Sequence, residues 1–296
     1  MGIPMPFAIF RCCPTSQFLR YYETSTNAVL SKLDVSIIDV EAFNCCGYPL
    51  KSTDKLAYLL ASVRNLAVAS RKGLDVVTLC NCCFQSLKLA NSIMMRDASM
   101  RDRISRMLQK EGLVYTEDIR IRHLFEVLLE DIGIDAIKNR LVTTYEDLKI
   151  ATHYGCHLLR PSPMMQFDDP VAPRRFDDLV ELTGAQSISW KSKLDCCGAP
   201  AWGVHDALSI RLTRQKINDA KAGGADFLCV ACVYCQLQFD RVQQRHMAIS
   251  PNGASLAPVL YTQLLGLAMG IEPGELGLDQ QCMDASGLTA FVKESV

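Results

Sequence analysis

Asp75-Val76-Val77-Thr78-Leu79-Cys80-Asn81-Cys82-Cys83 decides the architecture. Its first five residues are a compact run of strand formers. They end on a Cys-x-x-Cys pair, after which Phe84 to Met95 has helical spacing. The same order returns at Asp226-Phe227-Leu228-Cys229-Val230-Ala231-Cys232-Val233-Tyr234-Cys235, with a helix expected over Val233 to Arg245. A short apolar strand that delivers the chain to reactive side chains at its C-terminal end is the arrangement of open α/β sheets, whose sites form there.

Working outward, each half repeats a longer unit. Pro6 to Phe10 reads as a strand running into Cys12. Residues 17 to 33 read as a helix, with Phe18, Tyr22, Val29, Leu30 and Leu33 on its apolar face. Val35 to Val40 reads as a strand before Cys45-Cys46, and residues 54 to 72 as a helix closed by Gly73. In the second half, Lys149 to Thr152 is a strand reaching Cys156 through His153-Tyr154-Gly155, and Gln186 to Trp190 a strand before Cys196. Asp206 to Ala222 is a helix closed by Gly223-Gly224. Residues 96–148 read as a charge-rich linker with a helix around His123 to Leu129, Pro161 to Pro173 as a loop, and Leu256 to Met269 as one helix. The expected fold is α/β: two pseudo-symmetric Rossmann-like domains, residues 1–145 with linker helices and residues 146–296, with cysteine-bearing loops at the C-terminal ends of the strands.

The composition narrows the class. The chain has 296 residues, 49% hydrophobic and 21% charged, with a formal net charge of -1. That balance excludes a general nucleic-acid binder, which carries a basic excess. No apolar run is long enough for a membrane span. The N-terminal stretch, interrupted by Pro4, Pro6 and Arg11, does not read as a secretory signal. There are 14 cysteines. A chain of this length needs no disulfide staples, and in a reducing, cytoplasmic setting so many thiols point to metal or redox chemistry.

Ten of them are patterned as two sets. The first is Cys12, Cys45-Cys46-Gly47-Tyr48-Pro49 and Cys80-x-x-Cys83. The second is Cys156, Cys196-Cys197-Gly198-Ala199-Pro200 and Cys232-x-x-Cys235. Cys13, Cys82, Cys229 and Cys282 are left over, and a buried cysteine is by default a small hydrophobe. Structural zinc needs only four ligands, and dithiol chemistry at Cys-x-x-Cys leaves the Cys-Cys-Gly elements without a role. An iron–sulfur cluster has irons enough for adjacent thiolates, although five thiols exceed the four of an ordinary cubane. Gly47 and Gly198 would let the backbone pass close to a bulky group, and Pro49 and Pro200 would set the turn that follows.

On these residues the chain resembles the B-subunit family of heterodisulfide reductases, proteins with duplicated Cys-Cys-Gly domains. His153-Tyr154-Gly155-Cys156-His157-Leu158-Leu159-Arg160-Pro161 and Pro258-Val259-Leu260-Tyr261-Thr262-Gln263-Leu264-Leu265-Gly266 are similar to family segments too. The resemblance implies two non-cubane [4Fe-4S] clusters, one per set. They would be held by Cys12, Cys45, Cys46, Cys80 and Cys83 and by Cys156, Cys196, Cys197, Cys232 and Cys235. It implies reductive cleavage, or the reverse formation, of a disulfide such as the coenzyme M–coenzyme B heterodisulfide, in a cleft between the domains. It implies a cytoplasmic complex with two partners, as in methanogenesis: the ferredoxin-like iron–sulfur C subunit and the flavin-containing A subunit of the same enzyme. Two alternatives stay open: a homologue from sulfur metabolism acting on another sulfur substrate, and a non-catalytic electron-transfer or scaffold protein.

Cleaving a disulfide takes two electrons and releases two thiolates, which suits one metal site per repeat. Cys45, Cys46, Cys196 and Cys197 are the expected reactive-site cysteines, with His153 and His157 beside Cys156 as candidate hydrogen-bond donors. Arg11, Lys51, Arg160 and Lys193 lie near the motifs and are candidates for an anionic substrate. His205 is a weaker candidate, and Trp190 and Trp202 are expected to pack the second domain.

Overall fold

The computed structural model of the chain describes residues 6–247 and 255–294; residues 1–5, Pro4 among them, 248–254 and 295–296 lie outside the description. Strands β1 (Phe7–Phe10), β2 (Ile37–Ile38), β3 (Asp75–Thr78) and β4 (Ile121–His123) form a sheet in the order β2-β1-β3-β4. A short strand β5 (Thr143–Tyr145) follows. Then β6 (Lys149–His153), β7 (Gln186–Ser187), β8 (Phe227–Val230) and β9 (Pro258–Leu260) form a second sheet in the equivalent order β7-β6-β8-β9. All neighbouring strands in both sheets are parallel. A last strand, β10 (Val292–Glu294), runs antiparallel to β5 and ties the tail to the segment that joins the halves.

Parallel strands covered on both faces read as continuous apolar runs. Phe7-Ala8-Ile9-Phe10 and Phe227-Leu228-Cys229-Val230 are of this kind, buried at every position. The two outer strands expected over 35–40 and 186–190 shrink to Ile37–Ile38 and Gln186–Ser187, each bonded on one side only.

The helices follow the expected order with local differences. The helix expected over 17–33 is split at Leu19 into Thr15–Phe18 and Arg20–Lys32. Lys55–Arg71 starts where Asp54 accepts a hydrogen bond from the Ala57 amide, 2.9 Å, and ends before Gly73 at φ 63°. Asn81–Arg96 begins on the Cys-x-x-Cys motif rather than after it. Asp206–Ala222 has the expected bounds. The segment after Cys232 is interrupted by a π-turn, Gln238–Val242, between Val233–Leu237 and Gln243–Met247. Pro161–Pro173 contains one helical turn, Ser162–Met165.

Two expectations are corrected. Residues 96–148 are not only a linker: after the helix Ala98–Gln109 they supply β4, the fourth strand of the first sheet. Residues 256–269 are not one helix: they supply β9, then the helix Tyr261–Ala268. Both junctions are set by the same device, a side chain reaching back to the last strand amide. Glu126 accepts from the His123 amide at 2.8 Å, and Gln263 from the Leu260 amide at 2.9 Å.

These fourth strands lead the chain into the contact between the halves. Tyr261–Ala268 packs against Arg20–Lys32, where Ser25 Oγ and Thr262 Oγ1 share a hydrogen bond of 2.7 Å. Phe125 lies 4.6 Å from Phe176 and 5.4 Å from Tyr261, ring centre to ring centre. One continuous apolar core joins both sheets.

Candidate metal centre

Strand register decides which cysteines correspond. At the end of β1, Phe10 pairs with Thr78; at the end of β6, His153 pairs with Val230. Two residues past Thr78 and Val230 stand Cys80 and Cys232, and three further on Cys83 and Cys235. Three residues past Phe10 and His153 stand Cys13 and Cys156. Cys13, not the expected Cys12, is therefore the counterpart of Cys156, and Cys12 occupies the place of Gly155.

The sulfur contacts repeat the same pairing. Cys13 interacts with Cys45 as Cys156 does with Cys196. Cys46 meets Cys45 and Cys83, as Cys197 meets Cys196 and Cys235. The Gly47 amide lies 3.4 Å from Cys45 Sγ and the Gly198 amide 3.4 Å from Cys196 Sγ. Cys45 and Cys196 are pulled well below an ordinary thiol pKa, by the hydrogen bond from Cys13 or Cys156 first, then from the adjacent cysteine and the glycine amide. That is the direction in which donors around a sulfur act, favouring its thiolate form.

Glycine is required after each Cys-Cys. Gly47 has φ 82° and Gly198 φ 95°, and an added Cβ would stand 2.8 Å from the Tyr58 carbonyl or 2.6 Å from that of Ser209. The loops are pressed against their following helices, where Ser62 Oγ donates to the Cys46 carbonyl and Thr213 Oγ1 to the Cys197 carbonyl.

The two sets meet. Cys80 Sγ and Cys232 Sγ are 4.0 Å apart, and Cys82 joins them in one cluster of sulfurs. Beside them opens a cavity of about 420 Å³, counting its solvent-open mouth. Its walls carry Cys82 from the first set's motif, Cys156, Cys196, Cys197, Cys232 and Cys235 from the second, and the rings of Tyr48, His157 and Tyr234. Cys13 and Cys45 instead face a separate surface groove, with Asp39 and Glu41.

The remaining candidates divide. His157 lines the cavity, its Nδ1 3.1 Å from Cys82 Sγ, and burial lowers its pKa. His153 is fully buried, with Nε2 3.2 Å from Cys235 Sγ; it stands behind the thiols rather than in the cavity. Lys51 is not in the cavity lining; it stands over the ring of the lining residue Tyr48 at 5.7 Å and donates to Gln85 at 2.9 Å. Arg160 is exposed and donates to the Pro170 carbonyl. The other two expected anion contacts are already engaged. Arg11 is held by Glu23 and Asp39, and Lys193 grips both oxygens of buried Asp177 at 2.6 Å. His205 caps the helix Asp206–Ala222, accepting from the Leu208 amide. Trp190 is buried and Trp202 stacks near His246. Cys229 is buried inside β8 and Cys282 lies beside Asp240, outside both sets.

Three cavity residues were not singled out from the sequence as site residues. Tyr48 and Tyr234 sit inside the motifs as their variable positions, and their ring centres are 6.2 Å apart. Asn81, also a variable motif position, donates to the Tyr154 carbonyl at 2.7 Å across the halves. Its side chain explains Gly155: a Cβ there would stand 2.5 Å from Asn81 Nδ2.

All fourteen cysteines are free thiols. Among the described residues, three groups of potential ligands have their donor atoms within 4.8 Å of one another: Cys12, Cys80 and Cys83; Cys80, Cys82 and Cys232; His153, Cys197 and Cys235. Soft sulfur donors at this density, with loops a Cβ would obstruct, are compatible with iron–sulfur clusters.

The model of the cysteine-rich domain CCG matches residues 7–88 and again 150–240. The chain is 37% identical to the B subunit of the ferredoxin/F(420)H(2)-dependent CoB-CoM heterodisulfide reductase of Methanosarcina acetivorans, over 97% of both chains. It is 36% identical to the B subunit of the ferredoxin:CoB-CoM heterodisulfide reductase of Methanosarcina mazei, over 92% of both. It is 31% identical to the membrane anchor subunit of the 8-methylmenaquinol:fumarate reductase of Wolinella succinogenes, over 95% of this chain and 98% of that one. Among solved structures, a hypothetical protein from Helicobacter pylori matches with a TM-score of 0.74 and 19% identity, over 95% of this chain. The chain spans 52% of that protein's length, and the likeness speaks for the fold. Among the described residues no helix is long and apolar enough to cross a membrane. With the domain matched once in each half and similarity running through nearly the whole length, the chain belongs to the heterodisulfide reductase B-subunit family of duplicated cysteine-rich domains.

Proposed function

We propose that the chain is the catalytic component of a disulfide-reducing complex, with one iron–sulfur cluster per half. The observation that carries this reading is the approach of two equivalent thiol sets, with Cys80 and Cys232 4.0 Å apart, beside a cavity walled by Cys82 of the first half and five cysteines of the second. The overall reaction is R–S–S–R′ + 2 e⁻ + 2 H⁺ → RSH + R′SH, with electrons supplied by a partner protein. The A and C subunits of the relatives' complexes are the partners this reading expects, in the cytoplasm, and a CoB-CoM type heterodisulfide is the expected substrate class.

The first cluster would be held by Cys13, Cys45, Cys46, Cys80 and Cys83, the second by Cys156, Cys196, Cys197, Cys232 and Cys235. These belong to two cluster domains meeting near residues 145 and 146. A bound cluster supplies one-electron chemistry and an iron able to accept a thiolate. The chain's own residues do the rest. The Gly47 and Gly198 amides hold Cys45 and Cys196 as acceptors. Tyr48 and Tyr234 wall the cavity beside the sulfurs. His157 keeps its ring edge on Cys82 and a face to the cavity. Lys51, over the ring of Tyr48, is the nearby positive charge suited to an anionic substituent.

Anaerobic turnover with candidate disulfides and a reduced viologen dye tests this. Cys45→Ala and Cys196→Ala are each expected to lose one cluster and abolish turnover, whereas Cys282→Ala does neither. Normal iron in the first two variants contradicts the ligand assignment.

One observation favours a second reading. The similarity to a fumarate reductase anchor protein is nearly full-length, which fits a component that only passes electrons within a reductase complex. Cluster spectra that stay unchanged on adding any disulfide to the loaded protein would support it.

A further inference from the structure

The repeat that pairs the cysteines also pairs the residues behind them. Ser62 and Thr213 bind the carbonyls of Cys46 and Cys197, so the helices Lys55–Arg71 and Asp206–Ala222 meet their loops at the same turn. Three residues further along stand Asn65 and Lys216. Asn65 is neutral and fully used: its Nδ2 donates to the carbonyls of Asn44 and Cys45 at 3.1 and 3.2 Å, and its Oδ1 accepts from the Asn44 amide at 2.8 Å. Its neighbour Arg64 is paired with Glu111. Lys216 is 1% exposed. Its ammonium donates to the Ser192 carbonyl and lies 4.6 Å from the centre of the Trp190 ring. It forms no ion pair among the described residues. The groups whose fields reach it are Cys197, Asp195, Cys235 and Cys196. Asp195 is exposed and screened by water, which leaves the second thiol set as its counter-charge.

We propose that Lys216 is a redox-tuning residue: a buried cation, absent from the first half, that makes the second cluster the easier of the two to reduce. The inference rests on the reading of both thiol sets as cluster sites. Reduction adds one negative charge to a cluster, and a cation in poorly solvated surroundings stabilises that charge far more than one in water. A buried lysine without an anionic partner is costly; a cluster framed by thiolates offsets that cost, and more so once reduced. Burial pushes the ammonium pKa down to about 8, which leaves it charged at neutral pH. The couple concerned is one electron from an external low-potential reductant to the cluster, with no bond made or broken and no proton taken up. The first electron then settles at the set that lines most of the cavity.

The test is an anaerobic redox titration followed by EPR, with iron measured in every sample. The Cys45→Ala protein, left with the second cluster, is expected to reduce at a higher potential than the Cys196→Ala protein, left with the first. Lys216→Met is expected to lower the second cluster's reduction equilibrium at least tenfold, about 59 mV for a one-electron couple. It should leave the first cluster unmoved, and Lys216→Arg should retain the wild-type value. Full iron with equal midpoints, or a Lys216→Met shift common to both clusters, overturns the inference alone. If Lys216→Met loses its iron, the two cysteine variants decide, and a second-cluster midpoint at or below the first overturns it. Wild-type protein without iron contradicts the cluster reading itself.

Discussion

A single-residue offset separates two assignments of the first cluster. Sequence order favours Cys12, because it is the first thiol after the strand. The pairing of Phe10 with Thr78 and of His153 with Val230 makes Cys13 the equivalent of Cys156 instead. Two neighbouring thiols cannot be told apart without the register that points one of them toward Cys45. Cys12 and Cys82 are then additional sulfurs on the first side, standing where the second side has Gly155 and Tyr234. We expect Cys13→Ala to lose the iron of the first cluster and Cys12→Gly to keep it, as measured by iron analysis of each purified variant.

Lys193 was legible as a charge near a motif, but its partner was not, because Asp177 lies on another element. Burial raises the Asp177 pKa; Lys193, Ser187 and Thr152 outweigh it and hold the carboxyl below the ordinary value of 3.8. A depressed carboxyl stabilises the fold fully above its unfolded pKa, and that contribution is lost as pH falls through the folded value. Lys193→Met leaves a buried carboxylate unpaired and should cost about 3 kcal/mol in urea unfolding at neutral pH. The loss should shrink below pH 4 as Asp177 takes a proton, and KM for substrate should not change.

At the scale of elements, the sequence showed clearly the strands whose residues are buried on both faces, because continuous apolar runs need no tertiary context to be recognised. It showed the long helices for the same reason: Asp206–Ala222 has an N-cap, a periodic face and a glycine end. It did not show β4 or β9. Each is three residues long and opens directly into a helix, so a strand and a helix share one apolar stretch. The marker was present in the side chains that reach back, Glu126 and Gln263. At the cysteine loops the decisive element is the turn held by glycine. Gly198→Ala forces a Cβ onto the Ser209 carbonyl in left-handed backbone and is expected to release the second cluster's iron while the first is retained.

At the scale of the molecule, two similar halves are fused through a shared core rather than joined by a tether. Phe125, Phe176 and Tyr261 pack across the seam, and β10 closes back onto β5. Phe125→Ala should destabilise the whole chain by about 3 kcal/mol. It should do so in one cooperative transition, with fluorescence and far-UV circular dichroism coincident. Separate transitions for the two halves would show that the seam does not couple them. The same fusion fixes Cys80 against Cys232, so the distance between the two sites is a property of the core and not of a flexible hinge.

The most direct measurement is the iron and acid-labile sulfide content of the protein purified without oxygen, with metals identified in the same sample. Two clusters of the [4Fe-4S] composition give about eight irons and about eight sulfides per chain, falling by half in either Cys45→Ala or Cys196→Ala. Four irons or fewer in the wild type, or zinc in place of iron, would contradict the two-cluster account.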